Sequence, residues 1–343
     1  MSGALIAVFQ NQRGFATVAD APGIGTATAT SDTTATVAYT APANDGGATI
    51  TSYVATSTPG SITGTLSTAG SGTITVSGLT AATAYTFTVH AVNSVGNSAE
   101  SSASNSITTQ AAPGQQVWTS GTSNYWTCPA GVTSVSVLAV ANGRSGELSY
   151  TAGPVYSLNG FGGALSYINN YTVVPTTSYL VAVGSSSYFI NMTILKAGSE
   201  STRVGDGGGN GGANTYVPGA FTRMGGSGTG GYSGNGGVGN TATAGAAGSG
   251  GAPGAGSSNG GKGAGGVGLQ GEGSSGAASA SGYRGNAGSG GTGGGTSIHG
   301  GAYGGGGGTG NTDYAGTGYG SGAVRIMWPG SARQYPSTRT ADE

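Results

Sequence analysis

Two histidines, one cysteine and eleven aspartates and glutamates are the imidazole, thiol and carboxylate groups that this 343-residue chain offers for acid–base, nucleophilic or metal chemistry. His90, His299 and Cys128 are too few for a Cys/His zinc cluster, and a lone cysteine cannot form an intramolecular disulfide. A nucleophile needs a base within reach. Cys128 stands beside Pro129 with no histidine near it in sequence, so it is expected to be a packed or partly exposed thiol. His90 lies in an alternating run with no carboxylate in its pattern and is expected on the solvent face of a strand. Asp206 and Asp313 are far apart, and the acids form no motif for paired-carboxylate hydrolysis. Lys262, in Gly260-Gly261-Lys262-Gly263, is followed by no Ser or Thr, so it does not make a phosphate loop. The chain is expected to be no enzyme and to hold no cofactor or metal.

What remains is recognition by rings. Tyr216, Phe221, Tyr283, Ile298, His299, Tyr303 and Tyr314 interrupt a long glycine-rich stretch. An exposed ring can cover the apolar face of a sugar while nearby Asn and Ser bond its hydroxyls. These seven are the candidate receptor contacts. The tyrosines and Phe221, together with Tyr232 and Tyr319, could instead cap the ends of a packed bundle and exclude water, and the sequence leaves both roles open.

The elements that must position these side chains are unusual in composition. Glycine accounts for 75 residues and charged residues for only 6%, against about 25% in an ordinary soluble domain. The formal net charge of −1 provides no field to draw in nucleic acid. Of the 75 glycines, 51 lie between Gly205 and Gly322, which sets a boundary near Gly205. Residues 1–20 begin with a short apolar run, Ala4 to Phe9, that stops at Gln10 and has no basic segment before it. Too short for a leader or a membrane span, it is expected to be an attachment segment.

From 21 to 110 the chain alternates with period two and is punctuated by turns. Seven strands are predicted: Gly25–Thr30, Thr34–Tyr39, Thr51–Ser57, Ile62–Ser67, Gly72–Val76, Ala84–Asn93 and Ser104–Thr109. Tyr85, Phe87, Val89 and Ala91 share one face and should be core, with Thr86, Thr88 and His90 on the other. The run Gly78-Leu79-Thr80-Ala81-Ala82-Thr83-Ala84-Tyr85-Thr86-Phe87, followed by Ala91-Val92-Asn93-Ser94-Val95-Gly96, resembles the fibronectin type III family. That resemblance implies a two-sheet sandwich with Tyr85 as its tyrosine corner. It also implies that Tyr39 or Val37 fills the place of the family's strand-B tryptophan, which is missing here.

Residues 111–204 read as a β-domain. Its strand candidates are the alternating end of Cys128–Val140, then Gly163–Asn169 and Ser178–Gly184, with polar Asn169-Asn170-Tyr171 and a turn at Pro175-Thr176-Thr177 between the last two. A final alternating run, Ala323–Trp328, appears only after the glycine tract 205–322. The economical expectation is one β-domain whose last strand returns from a long insertion, leaving the tract's ends neighbours in space. Residues 323–343 are then the closing strand and tail.

The tract is not collagen, because Gly304–Gly308 is an unbroken run and Thr241-Ala242-Thr243-Ala244 lacks glycine. Calcium-binding repeats need a regular Asp, and Asp206 and Asp313 do not supply one. An ordered alternative is a bundle of left-handed polyproline-II strands, packed closely because glycine has no Cβ and bonded laterally through peptide groups. Almost no α-helix is expected anywhere. The anchor Pro129–Val137, the segment Gly162–Asn170, the tract and the closing Gly322–Trp328 are together similar to the glycine-rich domain of bacteriophage fibre and adhesin proteins. The ending Trp328-Pro329-Gly330 with Arg333–Thr338 is similar to that of marine and cyanobacterial phage structural proteins.

These resemblances imply an all-β, non-enzymatic virion fibre or adhesin, assembled in the host cytoplasm. Residues 1–20 would join other virion proteins, and the tract would meet a host glycan or outer-membrane protein. Several copies or a homo-oligomer are expected on the virion. The alternative is a structural or decorating virion protein at the neck, head or tail without a receptor. An ice-binding role suits glycine-rich bundles but not the phage-like ending.

Overall fold

The computed structural model describes residues 15–144, 147–149, 156–158, 160–198, 202–213, 216–218, 227, 229–232, 235–236, 269, 320–330 and 333–335. Among them there are strands and turns and no helix, so this part of the chain is all-β as expected. The chain forms two compact units, Met1–Ala112 and Pro113–Glu343.

In the first unit, β1 (Gly23–Ala29), β2 (Thr34–Thr40) and β5 (Gly72–Ser77) make one sheet, in the order β1-β2-β5. The strands β3 (Ser52–Thr58), β4 (Thr63–Leu66), β6 (Ala84–Val92) and β7 (Ile107–Thr108) make the other, in the order β4-β3-β6-β7. Period-two patterning sends one set of side chains inward from each sheet: Ala35, Val37 and Tyr39 from β2, Ile74 and Val76 from β5, Tyr53 and Ala55 from β3, and Tyr85, Phe87, Val89 and Ala91 from β6. Burying each large side chain is worth about 1.5–3 kcal/mol. Tyr39 and Tyr53, from opposite sheets, meet with ring centroids 4.3 Å apart, and Val37 is fully buried beside them.

Two expectations need correction. The predicted strand Ser104–Thr109 shrinks to Ile107–Thr108, because residues 97–106 follow β6 without forming a regular ladder. Ser98, Ser101 and Ser104 donate their N–H groups to the carbonyls of Ala91, Val89 and Phe87. Their hydroxyls accept from the N–H groups of the same three residues, at 2.9, 3.0 and 3.0 Å. Three residues therefore advance for every two on β6, and each serine oxygen replaces the carbonyl that a β-ladder would supply. This path also brings Glu100 to His90, whose Nδ1 lies 2.8 Å from Glu100 Oε1. His90 does have a carboxylate neighbour, ten residues on, and its side chain is only 14% exposed.

The second unit is built on a central sheet of β13 (Leu165–Thr172), β10 (Ser134–Val140), β19 (Ala323–Trp328) and β8 (Gly114–Trp118), in that order. The strand after the tract does return: Val137 pairs with Ile326, and Val140 with Ala323. The predicted Gly163–Asn169 begins later and runs to Thr172. Asn169-Asn170-Tyr171 lies inside the strand, where Asn170 takes φ +50° beside a register shift between Val135 and Val137.

A second sheet runs β17 (Arg203–Val204), β16 (Leu195–Gly198), β15 (Ser186–Phe189), β14 (Ser178–Ala182) and β9 (Asn124–Thr127). The predicted Ser178–Gly184 therefore lies outside the central sheet and ends at Ala182. Short strands β11 (Glu147–Ser149), β12 (Tyr156–Leu158) and β18 (Tyr216–Pro218) form a third sheet.

β10 and β19 are buried on both faces. One face, with Val324, Ile326 and Trp328, meets the five-stranded sheet, where the Trp126 and Trp328 rings lie 5.6 Å apart. The other face, with Leu138, Val140, Leu165, Ala323 and Met327, is covered by Tyr232 and Leu269 of the tract and by Tyr335.

The described glycine segments lie close together outside any named strand. Gly162 N–H donates to Gly212 O at 3.1 Å, Gly230 to Gly163 O at 2.9 Å, and Gly236 to Asn210 O at 2.8 Å. At Gly211 and Gly230, a Cβ would fall well inside van der Waals contact with the carbonyl oxygens of Gly162 and Gly209. Only glycine permits that approach. Most of the predicted polyproline-II bundle, including Gly304–Gly308, lies outside the described residues, as does the attachment segment up to Gly14.

Candidate recognition site

Tyr216 opens β18, paired with Leu158 of β12. Phe221, Tyr283, Ile298, His299, Tyr303 and Tyr314 lie outside the described residues. Tyr232 is only 1% exposed and packs on Tyr167 and Tyr335, with centroid distances of 6.4 and 5.9 Å, so it belongs to the packed interior and not to a tip.

What the structure does place is the base from which the tract departs and to which it returns. On the outgoing side, Leu165 N–H donates to Gly209 O at 2.9 Å and Tyr167 N–H to Gly207 O at 3.1 Å. On the returning side, Gly143 N–H donates to Gly320 O at 3.0 Å, and the Asn142 side-chain oxygen accepts from Gly322 N–H. Asn142 and Gly143 follow directly on β10, whose neighbour β13 carries Leu165 and Tyr167. The tract is therefore an excursion with both ends fastened to adjacent parts of one sheet. Holding the ends together in this way lowers the entropy of closing so long a loop.

Beneath the tract, Arg325 is 2% exposed and points from β19 into this layer. Its Nε donates to Gln115 Oε1 at 2.9 Å, its Nη2 donates to the same oxygen, and its Nη1 donates to the Leu269 carbonyl at 2.8 Å. A buried guanidinium must keep its donors satisfied, so this contact ties a tract carbonyl to the closing strand. Alternation within Ala323–Trp328 marked a strand but gave no sign that Arg325 would be buried.

The outer face of the five-stranded sheet carries a second feature that sequence reasoning missed. Tyr125 on β9 is 65% exposed and pairs with Leu180 of β14. Ile190, whose N–H donates to Leu180 O, takes φ +66°, an outlying conformation for a β-branched residue. Met192, 51% exposed, projects from the same β15–β16 connection.

The remaining reactive groups are quiet. Cys128 is 1% exposed, its thiol donates to Val132 O at 3.3 Å, and burial pushes its pKa up. No group of three or more potential metal ligands occurs among the described residues. Among the described residues no helix is long and apolar enough to cross a membrane, which says nothing of crossing by strands.

The family model for the fibronectin type III domain matches residues 20–107. Two titin structures are similar to parts of the chain. The crystal structure of titin domains A168-A170 is 32% identical, over 27% of this chain and 32% of that one, with a TM-score of 0.24. Titin kinase with its flanking domains is 19% identical, over 48% of this chain and 29% of that one, also with a TM-score of 0.24. The chain thus spans about a third of each titin structure. No curated protein matches it. A fibronectin type III domain occupies residues 20–107, as its sheets and the Tyr85 corner also indicate.

Proposed function

We propose that the chain is a non-enzymatic bacteriophage fibre or adhesin subunit, in which the fibronectin type III domain is a spacer and the glycine-rich tract contacts the host surface. The observation that carries this reading is the fastening of both tract ends to one sheet, at Gly207–Gly209 and Gly320–Gly322. A long loop held in this way suits the outward display of a binding surface. The lateral hydrogen bonds between peptide groups, Gly162 to Gly212, Gly230 to Gly163 and Gly236 to Asn210, support a polyproline-II arrangement for the rest of the tract. In that arrangement Tyr216, Phe221, Tyr283, Ile298, His299, Tyr303 and Tyr314 interrupt the glycine runs and meet a host glycan or outer-membrane protein. Residues 1–20 join the subunit to other virion proteins, and several copies act together.

The test is saturable binding of the purified full chain to intact cells of the phage's host, with competition by isolated surface polysaccharide. Binding that slows adsorption of the phage supports the adhesin reading. Absence of binding, with the chain located at the neck or head of the particle, replaces it with the role of a decorating protein.

A further inference from the structure

We propose that residues 333–335 are a strap that locks the glycine tract onto the central sheet. The strap crosses the sheet from edge to edge. Arg333 Nη1 donates to the carbonyl of Gly114 on β8 at 2.9 Å, at one edge of the order β13-β10-β19-β8. Two residues later, Tyr335 is clasped at the other edge by Asn169 of β13. Its N–H donates to Asn169 Oδ1 at 2.7 Å, and Asn169 Nδ2 donates back to its carbonyl. A single side chain thus satisfies both backbone groups of Tyr335, as a β-partner would, although no strand is present there.

The Tyr335 ring then lies on the tract. It is 3% exposed and stacks on Tyr232 at 5.9 Å with planes 20° apart, and it lies 6.0 Å from Tyr167. Tyr232, the tract's own ring, is thereby held by one ring from β13 and one from the strap. The β10–β19 and β10–β13 ladders use no atom of residues 333–335, so the backbone pairing of these three strands does not run through the strap. Seating the tract does depend on it, because Tyr335 forms part of the cover over Leu138, Leu165 and Met327. The strap is a conformational lock, and it operates whatever surface the tract contacts.

Tyrosine nitration of the full chain by tetranitromethane, mapped by mass spectrometry, reads the lock directly. In the unsubstituted protein, Tyr125 reacts and Tyr232 does not, as their exposures of 65% and 1% require. Tyr335→Ala and, independently, Asn169→Ala should each raise Tyr232 nitration at least tenfold. The tryptophan emission of the second unit should keep its parent wavelength, and Tyr53 should stay protected. Tyr232 remaining protected in both variants would overturn the strap. So would a red shift of the tryptophan emission accompanying Tyr232 exposure, since Tyr335 would then be an ordinary residue of the unit's core.

Discussion

The phenol oxygen of Tyr85 accepts a hydrogen bond from the Thr80 backbone N–H at 2.9 Å, five residues back along the chain, while its ring is 3% exposed. This contact pins the turn before β6 to the strand it introduces. Tyr85→Phe leaves that N–H, on exposed Thr80, to water, at a cost of about 0.5–1.5 kcal/mol. Tyr85→Ala adds a cavity and should cost about 3–5 kcal/mol. Native-state hydrogen exchange at Phe87 and Val89 measures both. The tryptophan fluorescence transition should not move, because Trp118, Trp126 and Trp328 all lie in the second unit.

The serine ladder along β6 makes a separate prediction. The Ser101 hydroxyl accepts from Val89 N–H and donates to Ser102 O at 2.8 Å. Ser101→Ala orphans a buried N–H and should destabilise the first unit by about 1–3 kcal/mol, with the Val89 amide exchanging faster. Ser101→Thr keeps the hydroxyl and should lose less.

Tyr39 links this core to pH. Its hydroxyl donates to Gly70 O at 3.0 Å, and its pKa is pushed up from 10.0 to about 12, chiefly by burial and secondarily by Tyr53. The unfolded chain therefore releases this proton before the folded one does. The associated stability is fully present below pH 10 and is lost as pH rises toward 12. Urea unfolding of the first unit, followed by far-ultraviolet circular dichroism, should show a midpoint that falls over that window. In Tyr39→Phe the fall should be shallower.

Glycine contacts in the second unit can be tested one at a time. Gly230→Ala would press a Cβ into the Gly209 carbonyl and should destabilise the unit by about 1–3 kcal/mol, read from the tryptophan unfolding midpoint. Gly184→Ala meets only the Thr122 methyl, at 3.9 Å, and should fall within about 0.5 kcal/mol of the parent.

The sandwich was legible because its strands, the two-residue β7 apart, carry their own alternation. Tyr85, Phe87, Val89 and Ala91 had only to face one way, and they do. The return of Ala323–Trp328 to β10 could be read for the same reason. The five-stranded sheet was largely missed because β15, β16 and β17 are four, four and two residues long, too short for periodicity to register. The His90–Glu100 contact escaped notice because a 3-to-2 register breaks the spacing from which strand partners are inferred. Asn169 meets Tyr335 across 166 positions of sequence and Arg325 meets Gln115 across 210, and no local pattern marks such meetings.

Hydrogen exchange across residues 205–322 of the full chain bears most directly on the display of an ordered tract. The proposed packing predicts strong protection of amides throughout the glycine runs, with Gly230 and Gly236 among the protected positions. Faster exchange should appear only around tips such as Tyr283, Ile298 and Tyr314. Exchange at unfolded-chain rates through the whole tract would contradict both the packed arrangement and the host-contacting role built on it.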